Sequence, residues 1–401
     1  MTKNSVIDGI YEDGLCLGCG FCESLCGKAN VEMVLQPEGF LRPIVKGEVN
    51  KESEQLIQDI CPGVNIVNDL PFDSSQSVWG KIEKTYSGYS TDAEIRTKGS
   101  SGGMVSGIAI YMLENKLVDA VLQVGGTSDD YERNSLRVTR SKKEVLECAS
   151  SRYAPALIFD KIIDILEGGN DNFCFIGKPC DISGLKNFLT KFPKYKDRFK
   201  LTVSIMCAGI PSFRGTETII EEFKAITPVK NLVYRGNGWP GFFSFIDNSG
   251  ETFKMTYNDS WGKRLGKHVH NRCKICPDGI GIQADVAIGD AWETADGYPD
   301  FTEREGSSLI IARTDAGVNI LHAMRDIGGA VYEPLALKTI GMMQPFQYKR
   351  RLRVGIRSVA FSLAKFRKLN YQNLGLLNNT KKLSFETMAR EFYGMFKRSI
   401  K

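Results

Sequence analysis

The feature that most constrains this chain is a run of four closely spaced cysteines near the amino terminus: Cys16, Cys19, Cys22 and Cys26. Their spacing, C-x2-C-x2-C-x3-C, is typical of thiolates that wrap an iron–sulfur cluster. The small Gly18 and Gly20 would let backbone amides approach the cluster sulfurs. Structural zinc sites instead pair two separate knuckles, so zinc and plain structural thiols are weaker alternatives. The run therefore predicts a cluster and makes electron transfer the leading hypothesis.

The fourth ligand of this cluster has two candidates. A proline usually follows the last cysteine of the motif, but here Gly27 follows Cys26, and a Cys-Pro pair occurs at Cys61 and Pro62. In two-cluster ferredoxins the cysteine that closes such a run serves the other cluster. We therefore favour Cys61 over Cys26 and keep both as candidates.

The composition is that of an ordinary globular protein. The chain has 401 residues, of which 42% are hydrophobic and 25% charged, so we expect two or three domains. Its first 15 residues contain no apolar signal-peptide core, and no stretch reaches the roughly 18 apolar residues of a membrane span. Cysteines at cluster-binding spacing also suit a reducing compartment. We therefore expect a cytoplasmic protein.

The net charge of +5 is distributed unevenly. Residues 346–401 hold 14 Lys or Arg and two Glu, a charge of +12, so the remaining chain carries −7. Within this tail, residues 348–368 mix cations with apolar residues at near-helical spacing. Such a basic helix could lie peripherally on an anionic membrane surface, dock an acidic ferredoxin-like carrier, or pack on its own domain. No recognisable module supports nucleic-acid binding.

The order of predicted elements indicates three units. We assign residues 1–70 to a small ferredoxin-like 4Fe–4S unit, residues 80–345 to an α/β core and residues 346–401 to a basic helical tail, with 71–77 as a linker. The core is predicted to contain helices at 104–115 and 154–167, and strands at 118–125, 173–176, 201–206, 286–289 and 308–312. Residues 231–255 have short β-runs separated by Gly-rich turns, which predict an antiparallel insert or an extension of the sheet.

A second group of cysteines is dispersed through the core: Cys180, Cys207, Cys273 and Cys276. Cys180 and Cys207 each follow a predicted strand, and strand ends in an α/β sheet converge on one rim. From spacing alone, a second cluster, a zinc site and buried core thiols all remain open. Cys148 and Cys174 lack such a context, and we interpret them as core thiols.

Seven sequence blocks carry a resemblance to a known family, at residues 16–22, 96–103, 151–153, 176–181, 207–209, 273–276 and 284–290. Over residues 10–335 the chain resembles the coenzyme F-420 hydrogenase/dehydrogenase beta-subunit family. The resemblance implies a flavoprotein that binds FAD and holds a 4Fe–4S cluster on the second group of cysteines. Members with the N-terminal unit carry another cluster, and plant hydroxymethyl chlorophyll a reductase is similar in layout.

The resemblance places the flavin at a Gly-rich turn before a helix, formed by Lys98, Gly99, Ser100, Ser101, Gly102 and Gly103. Free backbone N–H groups at a helix N-terminus, with a lysine nearby, can bind a pyrophosphate. The same pocket is expected to include Ser151, Arg152 and Tyr153. Asn237, Gly238 and Trp239 are candidates for its flavin or substrate face, although a tryptophan is more often a packing residue.

These features predict an iron–sulfur flavoprotein oxidoreductase that passes electrons between a ferredoxin-like carrier, two clusters, FAD and an unidentified organic substrate. Bacterial relatives suggest surface-polysaccharide metabolism by analogy. The alternative is a non-catalytic electron-transfer subunit of a larger hydrogenase/dehydrogenase complex, including one that reduces the deazaflavin coenzyme. Candidates for a general acid are weak and comprise His268, His270, Asp278 and Asp290.

Overall fold

The computed structural model describes residues 5–69, 72, 78–126, 134–295 and 297–400. The predicted linker, residues 71–77, lies outside the described residues except for Phe72. The helices are α1 Val6–Glu12, α2 Phe21–Cys26, α3 Lys51–Ile60, α4 Ala93–Lys98, α5 Met104–Glu114, α6 Lys142–Glu147, α7 Ile162–Glu167, α8 Pro179–Lys191, α9 Phe213–Glu222, α10 Asn271–Lys274, α11 Asp315–Asp326, α12 Leu337–Met343, α13 Pro345–Lys365, α14 Leu376–Thr380 and α15 Phe385–Ser399. Shorter helical turns are Pro193–Arg198, Asn258–Gly262 and Leu265–His268.

The strands are β1 Val31–Leu35, β2 Leu41–Val45, β3 Asn65–Val67, β4 Lys84–Ser90, β5 Ala120–Gly125, β6 Ser135–Thr139, β7 Phe173–Gly177, β8 Phe199–Ile205, β9 Lys230–Val233, β10 Phe242–Ile246, β11 Thr252–Thr256, β12 Val286–Asp290, β13 Thr294–Ala295, β14 Tyr298–Pro299, β15 Ser308–Ala312, β16 Ala330–Pro334 and β17 Asn370–Gln372. Eight of them form the central sheet, in the order β16-β4-β15-β12-β8-β7-β5-β6.

The centre of this sheet is parallel and its flanks are antiparallel. Strands β5, β7, β8 and β12 pair in parallel, while β6 on one side and β15, β4 and β16 on the other pair antiparallel. Strand β7 is buried at every position, as expected for a central strand covered on both faces. Helices α5 and α11 contribute to the core on one face, and α7 and α8 to the core on the other. The predicted α/β core is therefore present.

Two predictions about local structure had different outcomes. The antiparallel insert is confirmed as the three-stranded sheet β11-β10-β9. The helix predicted over 154–167 is wrong in its first half, because helix α7 begins only at Ile162. Pro155 disfavours helical backbone at Ala154. In addition, the amides of Ile158 and Phe159 donate to the carbonyl oxygen of Cys19, at 3.1 and 2.8 Å, instead of closing helical turns.

The residues after 345 are built into the rest of the molecule. Strand β17 pairs in parallel with β3 near the cysteines, with Tyr371 opposite Ile66. Phe361 of α13 and Met395 of α15 share a hydrophobic core with Ile7 of α1. Of the alternatives for the basic tail, this contact pattern agrees with packing on its own protein. No helix among the described residues is long and apolar enough to cross a membrane.

The N-terminal unit is also packed against the central domain. The ring of Phe21 stacks on that of Phe159, with centroids 3.8 Å apart, and on Phe188 at 5.6 Å. All three rings belong to one hydrophobic core. The cysteine loop is therefore fixed directly on the face of the sheet that is covered by α7 and α8.

Candidate functional site

The N-terminal cysteines line a small cavity among apolar side chains. Cys16 and Cys19 from the loop and Cys22 at the start of α2 line it together with Cys61, which follows the end of α3. Apolar side chains complete the wall, including Ile7, Ile10, Ile57 and Ile60. Cys26 ends helix α2 and does not line this cavity. The structure thus brings Cys16, Cys19 and Cys22 together with Cys61, the favoured candidate for the fourth ligand.

The chemistry of these thiols fits an iron–sulfur cluster. Burial raises the pKa of the Cys22 thiol well above its usual range, and the neighbouring Cys16, Cys19 and Cys61 raise it further by charge repulsion. Four thiolates could share this cavity only if metal ions supplied positive charge. Hydrogen bonds from nearby backbone amides lower the pKa of the thiols, and N–H···S bonds of this kind are common around clusters. The amides are those of Gly18 at Cys16, Phe21 at Cys19, Glu23 at Cys22, and Gly63 and Val64 at Cys61.

The second group of cysteines is assembled by the parallel strands. Cys180 lies in the first turn of α8, directly after β7, and Cys207 follows β8. Cys273 on α10 lies beside the loop after Cys207, since a Cβ at Gly209 would be 3.4 Å from the Cys273 Cβ, and Cys276 follows just beyond α10. Burial raises the pKa of Cys207 to about 12, and the charges of Cys273 and Cys276 contribute to the rise. The charges of Cys207 and Cys276 likewise raise the pKa of Cys180, so the four thiols lie near one another.

Several donors surround this second group. The amide of Ile210 lies 3.4 Å from the Cys273 sulfur. Gln347 and Arg350 of α13 donate to the carbonyl oxygen of Cys207 at 3.0 and 2.6 Å. Helix α13 therefore holds the Cys207 loop in place. Within the described ranges, no three or more His, Cys, Asp or Glu side chains lie in an arrangement that could hold a single metal ion.

A cleft of about 640 Å³ opens at the carboxyl ends of the parallel strands. Val124 of β5, Ile176 of β7, Ile205 of β8 and Ile288 of β12 line its floor. Ligands in open α/β sheets bind at this position, and the volume lies within the usual range of ligand pockets. Cys207 lines the same cleft, so the second group of cysteines reaches the cavity wall.

The Gly-rich turn forms one wall of the cleft. Gly99, Ser100, Ser101 and Gly103 line it immediately before α5. The turn is held by the Ser101 hydroxyl, which donates to the carbonyl oxygen of Gly289 at 2.7 Å. Gly103 has a φ of +75°, and a Cβ there would lie 2.7 Å from the Ile95 carbonyl oxygen, so only glycine fits without distortion.

Two members of the predicted turn lie elsewhere. Lys98 ends helix α4 and pairs with Glu94 at 3.0 Å, on the surface rather than in the cleft. Gly102 also does not line the cleft; a Cβ there would lie 2.9 Å from the Ser308 amide. The expected lysine at the pyrophosphate is therefore not supplied by Lys98 in this structure.

Ser151, Arg152 and Tyr153 line the cleft, as the resemblance implied. The Nε atom of Arg152 is buried and has no hydrogen-bond partner among the described residues, while Nη1 lies 3.5 Å from the Asn134 side-chain oxygen. Burial lowers the pKa of this guanidinium. A buried donor of this kind, facing a cavity, fits a ligand with an anionic or hydrogen-bond-accepting group.

Arg235 was missed by sequence reasoning and lies at the centre of the aromatic wall. It is 3% exposed, forms a two-pronged ion pair with Asp290, and lies over the rings of Tyr257 and Trp292 at 4.9 and 5.0 Å. Trp239 stacks on Trp292 and donates to Asp290 at 2.7 Å. No motif marks this arginine in the sequence, because its partners Asp290, Trp292 and Tyr257 come from segments far from it in the chain.

The predicted substrate-face residues are therefore mainly structural. Trp239 is buried behind Trp292, and Asn237 and Gly238 do not line the cleft. Cys148, which we interpreted as a core thiol, does line it, whereas Cys174 is fully buried in the core. Asp290 lines the cleft but already accepts hydrogen bonds from Arg235 and Trp239.

The other general-acid candidates lie away from the cleft. His270 is buried and caps α10, and its Nδ1 accepts the Arg272 amide at 3.1 Å. Burial, together with Arg42 and Arg272, lowers the pKa of His270 to about 3, so the ring is neutral. Asp278 is also buried and accepts the amides of Ile280 and Ile282. The His268 side chain packs beside Gly215.

Comparison with known proteins decides the family. The model of the coenzyme F420 hydrogenase/dehydrogenase beta subunit N-terminal region matches residues 85–162, and that of its C terminus matches residues 170–337. The chain belongs to the coenzyme F420 hydrogenase/dehydrogenase beta-subunit family. The matched ranges of this family member contain the Gly-rich turn and all four cysteines of the second group, whereas the N-terminal cysteines lie outside them.

Individual relatives agree with this assignment. The coenzyme F420 hydrogenase subunit beta of Methanococcus voltae is 26% identical over 257 residues, covering 62% of this chain and 84% of the relative. The coenzyme F420-dependent sulfite reductase of Methanocaldococcus jannaschii is 26% identical over 353 residues, covering 86% of this chain but only 50% of the relative. Both relatives carry names from oxidation–reduction chemistry, and this family member is similar to each of them over more than half of its own length.

The fold is shared with a solved structure. A chain of the F420-reducing [NiFe] hydrogenase complex from Methanosarcina barkeri superposes with a TM-score of 0.53 at 18% sequence identity. The match covers 71% of this beta-subunit family member and 95% of that chain. At this identity the likeness shows a common fold.

Proposed function

We propose that this chain is an iron–sulfur flavoprotein of the electron-transfer subunit type, which passes electrons between two 4Fe–4S clusters and an FAD. The observation that carries the proposal is that Cys207 lines the same cleft as the Gly-rich turn. A cluster on the second group of cysteines would therefore border directly on the flavin cleft. The first group, on the N-terminal unit, would supply the cluster at the other end of the path.

The residues proposed to hold the clusters are the two groups of cysteines. Cys16, Cys19, Cys22 and Cys61 would hold the first, and Cys180, Cys207, Cys273 and Cys276 the second. Cys26 remains the less favoured candidate for the first. The buried thiols repel one another when ionised, and nearby amides and cations offset that repulsion only in part. Both groups therefore suit iron–sulfur ligation.

FAD would lie along the Gly-rich turn with its phosphates near the amides of Ser101 and Gly103 and near Arg152. When bound there, the flavin would accept or donate a hydride to a substrate and would exchange single electrons with a cluster. The protein's own contribution is the rigid wall made by Arg235, Asp290 and Trp292, which positions the ring system and excludes water. The unpaired Arg152 Nε offers the cleft a hydrogen bond that the described residues do not use.

Partners are proposed from the relatives. Hydrogenase and dehydrogenase beta subunits belong by name to larger enzymes, so we propose a partner subunit or a ferredoxin-like carrier that exchanges electrons with the first cluster. The basic tail would present exposed cations such as Lys381 and Lys382 to an acidic partner protein. The alternative proposal is that these cations contact an anionic membrane surface.

A second candidate function is direct reduction of an organic substrate by this chain. Tyr298 and Phe346 line the cleft, are 50% and 55% exposed, and have ring centroids 5.7 Å apart. Two exposed aromatic rings at a cavity mouth favour a flat ligand that enters from solvent. The deazaflavin coenzyme named in the relatives, or another planar substrate, would fit this description.

A matched pair of substitutions tests the flavin site. Arg152→Gln removes the guanidinium that faces the cleft, and we expect FAD per chain to fall at least tenfold because a charged hydrogen bond is lost. Lys98→Gln removes a cation that the sequence predicted at the same site but that pairs with Glu94 instead, so FAD should be retained. Flavin released from purified protein is measured by absorbance. Full FAD in Arg152→Gln would contradict the proposed site.

A further inference from the structure

Arg272 connects the two groups of cysteines. Its Nε and Nη2 atoms donate to the carbonyl oxygens of Gly63 and Pro62 at 2.7 and 2.8 Å, in the turn that begins at Cys61. The same residue directly precedes Cys273 on α10. Its side chain is 1% exposed. One buried cation is thus bonded to the backbone of one cysteine turn and covalently joined to the other.

Tyr371 completes this connection from the far end of the chain. Strand β17 carries it beside β3, and its ring lies under the Arg272 guanidinium, 5.3 Å from centroid to Cζ. The Tyr371 hydroxyl is buried and has no hydrogen-bond partner in the described part of the chain. A buried hydroxyl without a partner is costly, so a role for its donor is expected.

Both side chains experience the charges of both cysteine groups. Burial raises the pKa of Tyr371, Arg272 lowers it, and Cys276, Cys61 and Cys273 raise it again. Burial lowers the pKa of Arg272, but Tyr371 and the thiols of Cys276, Cys180 and Cys273 outweigh that effect and raise it. The charge of Arg272 in turn lowers the pKa of Cys61. Arginine keeps its charge in proteins, so Arg272 places a cation between the two groups.

We propose that Arg272 and Tyr371 are positioning residues shared by the two clusters, which fix the separation of the clusters and raise the reduction potential of both. This inference rests on the proposed function. A reduced cluster carries more negative charge than an oxidised one, so a buried cation and a hydroxyl donor stabilise the reduced form. Because the pair faces both cysteine groups, one substitution should shift two potentials.

Arg313 provides a matched control. It is also buried, at 2% exposed, and donates to the backbone carbonyl oxygens of Trp79, Lys81 and Ile280. After burial, the charged groups that affect the pKa of Arg313 are Asp278 and Arg351 rather than thiols. Arg313→Gln thus removes a buried, carbonyl-bonded guanidinium without removing a cation from the cysteine groups.

The test is a redox titration of the anaerobically purified holoprotein, followed by electron paramagnetic resonance. In Arg272→Gln we expect both cluster potentials to fall by at least a tenfold change in the one-electron equilibrium constant, or about 59 mV. Arg272→Lys should restore most of that loss. Tyr371→Phe, which removes a single hydroxyl, should lower the potentials by a smaller, two- to threefold change in the constant. Arg313→Gln should leave both potentials unchanged.

Unshifted potentials in Arg272→Gln at full iron content, or a shift confined to one cluster, would overturn the inference. If Arg272→Gln fails to retain iron, the inference is tested with Tyr371→Phe instead. Unchanged cluster potentials in Tyr371→Phe would then overturn the inference. Wild-type protein with only one cluster would contradict the proposed function itself. Two clusters with potentials indifferent to these substitutions would contradict the inference alone.

Discussion

The two cysteine groups reach similar surroundings by different routes. Three of the first group lie within seven residues, on a loop and the start of α2, whereas the second group is spread from Cys180 to Cys276, in α8, after β8, and in and after α10. The first can be recognised from spacing because neighbouring residues on one loop must be close in space. The second becomes a site only when parallel strands bring their carboxyl ends to one rim.

The first group nevertheless depends on contacts with distant parts of the chain. Its fourth thiol, Cys61, follows α3, and the turn after it is bonded to Arg272 and lies beside strands β3 and β17. A motif that looks local in the sequence thus depends on side chains more than 200 residues away. Four predictions test how far this dependence extends.

The largest effect is expected from deletion of residues 345–401. The deletion removes Phe361 and Met395 from the core around the first cysteine group, and the Arg351 guanidinium that bonds to the Val78 and Pro277 carbonyl oxygens. Each large buried apolar residue contributes roughly 2–5 kcal/mol, against a total stability of about 5–15 kcal/mol. We expect no folded protein, as judged by thermal melting and soluble yield.

The control for this deletion changes tail charge without removing packing. Lys381 and Lys382 are exposed, and Lys381→Glu with Lys382→Glu should leave iron, flavin and melting temperature unchanged. A truncated protein that kept both cofactors would show that the first cysteine group does not need the C-terminal segment.

The next largest effect is a difference in FAD content between variants that lack a cysteine of the first or of the second group. Cys276→Ala should reduce iron from about eight to about four per chain and lower FAD, because the second group borders the cleft. Cys19→Ala should remove four iron but keep FAD, since the carbonyl oxygen that accepts from Ile158 and Phe159 remains. Equal loss of FAD in both variants would show that the cleft depends on both groups alike.

A smaller, more specific effect identifies the fourth ligand of the first cluster. Cys61→Ala should remove the first cluster or change its iron content, because Cys61 lines one cavity with Cys16, Cys19 and Cys22. Cys26→Ala should leave iron, sulfide and the paramagnetic resonance spectrum unchanged, because Cys26 lies outside the cavity. The reverse pattern would make Cys26 the ligand.

The smallest effect concerns pH. The pKa of His270 is lowered to about 3, while an unfolded histidine titrates near 6.5, so the unfolded chain binds the extra proton as pH falls. Stability should therefore decrease below about pH 6.5, with a loss of about 1.4 kcal/mol between roughly pH 7.5 and 5.5 attributable to this ring. His270→Asn, which can still cap α10, should lack this contribution when unfolding is measured at both pH values. An identical pH slope in the variant would refute the assignment.

The sequence allowed prediction of whatever depends on local pattern or on family resemblance. The α/β core, the antiparallel insert and the family are confirmed. Spacing near Cys16 and the Gly-rich turn before α5 identified residues that the structure places in cavities. The cysteine spacing and the Gly-rich turn can be recognised because each pattern lies within a short stretch of sequence.

The remaining features depend on tertiary contacts. The helix predicted from Ala154 is interrupted because its amides bond to the Cys19 loop. Lys98 was expected in the cleft, yet it ends a helix and turns to Glu94. Arg235 and Arg272 have no motif, since a buried arginine is defined by carbonyl and carboxylate oxygens from distant segments. Single-sequence patterns contain little information about such partners.

The most direct test of the account is the quantity of iron, acid-labile sulfide and flavin per chain after anaerobic purification. Two 4Fe–4S clusters and one flavin require about eight iron, eight sulfide and one FAD. About four iron with FAD would contradict the second electron-transfer centre, and zinc without flavin would contradict the functional account as a whole.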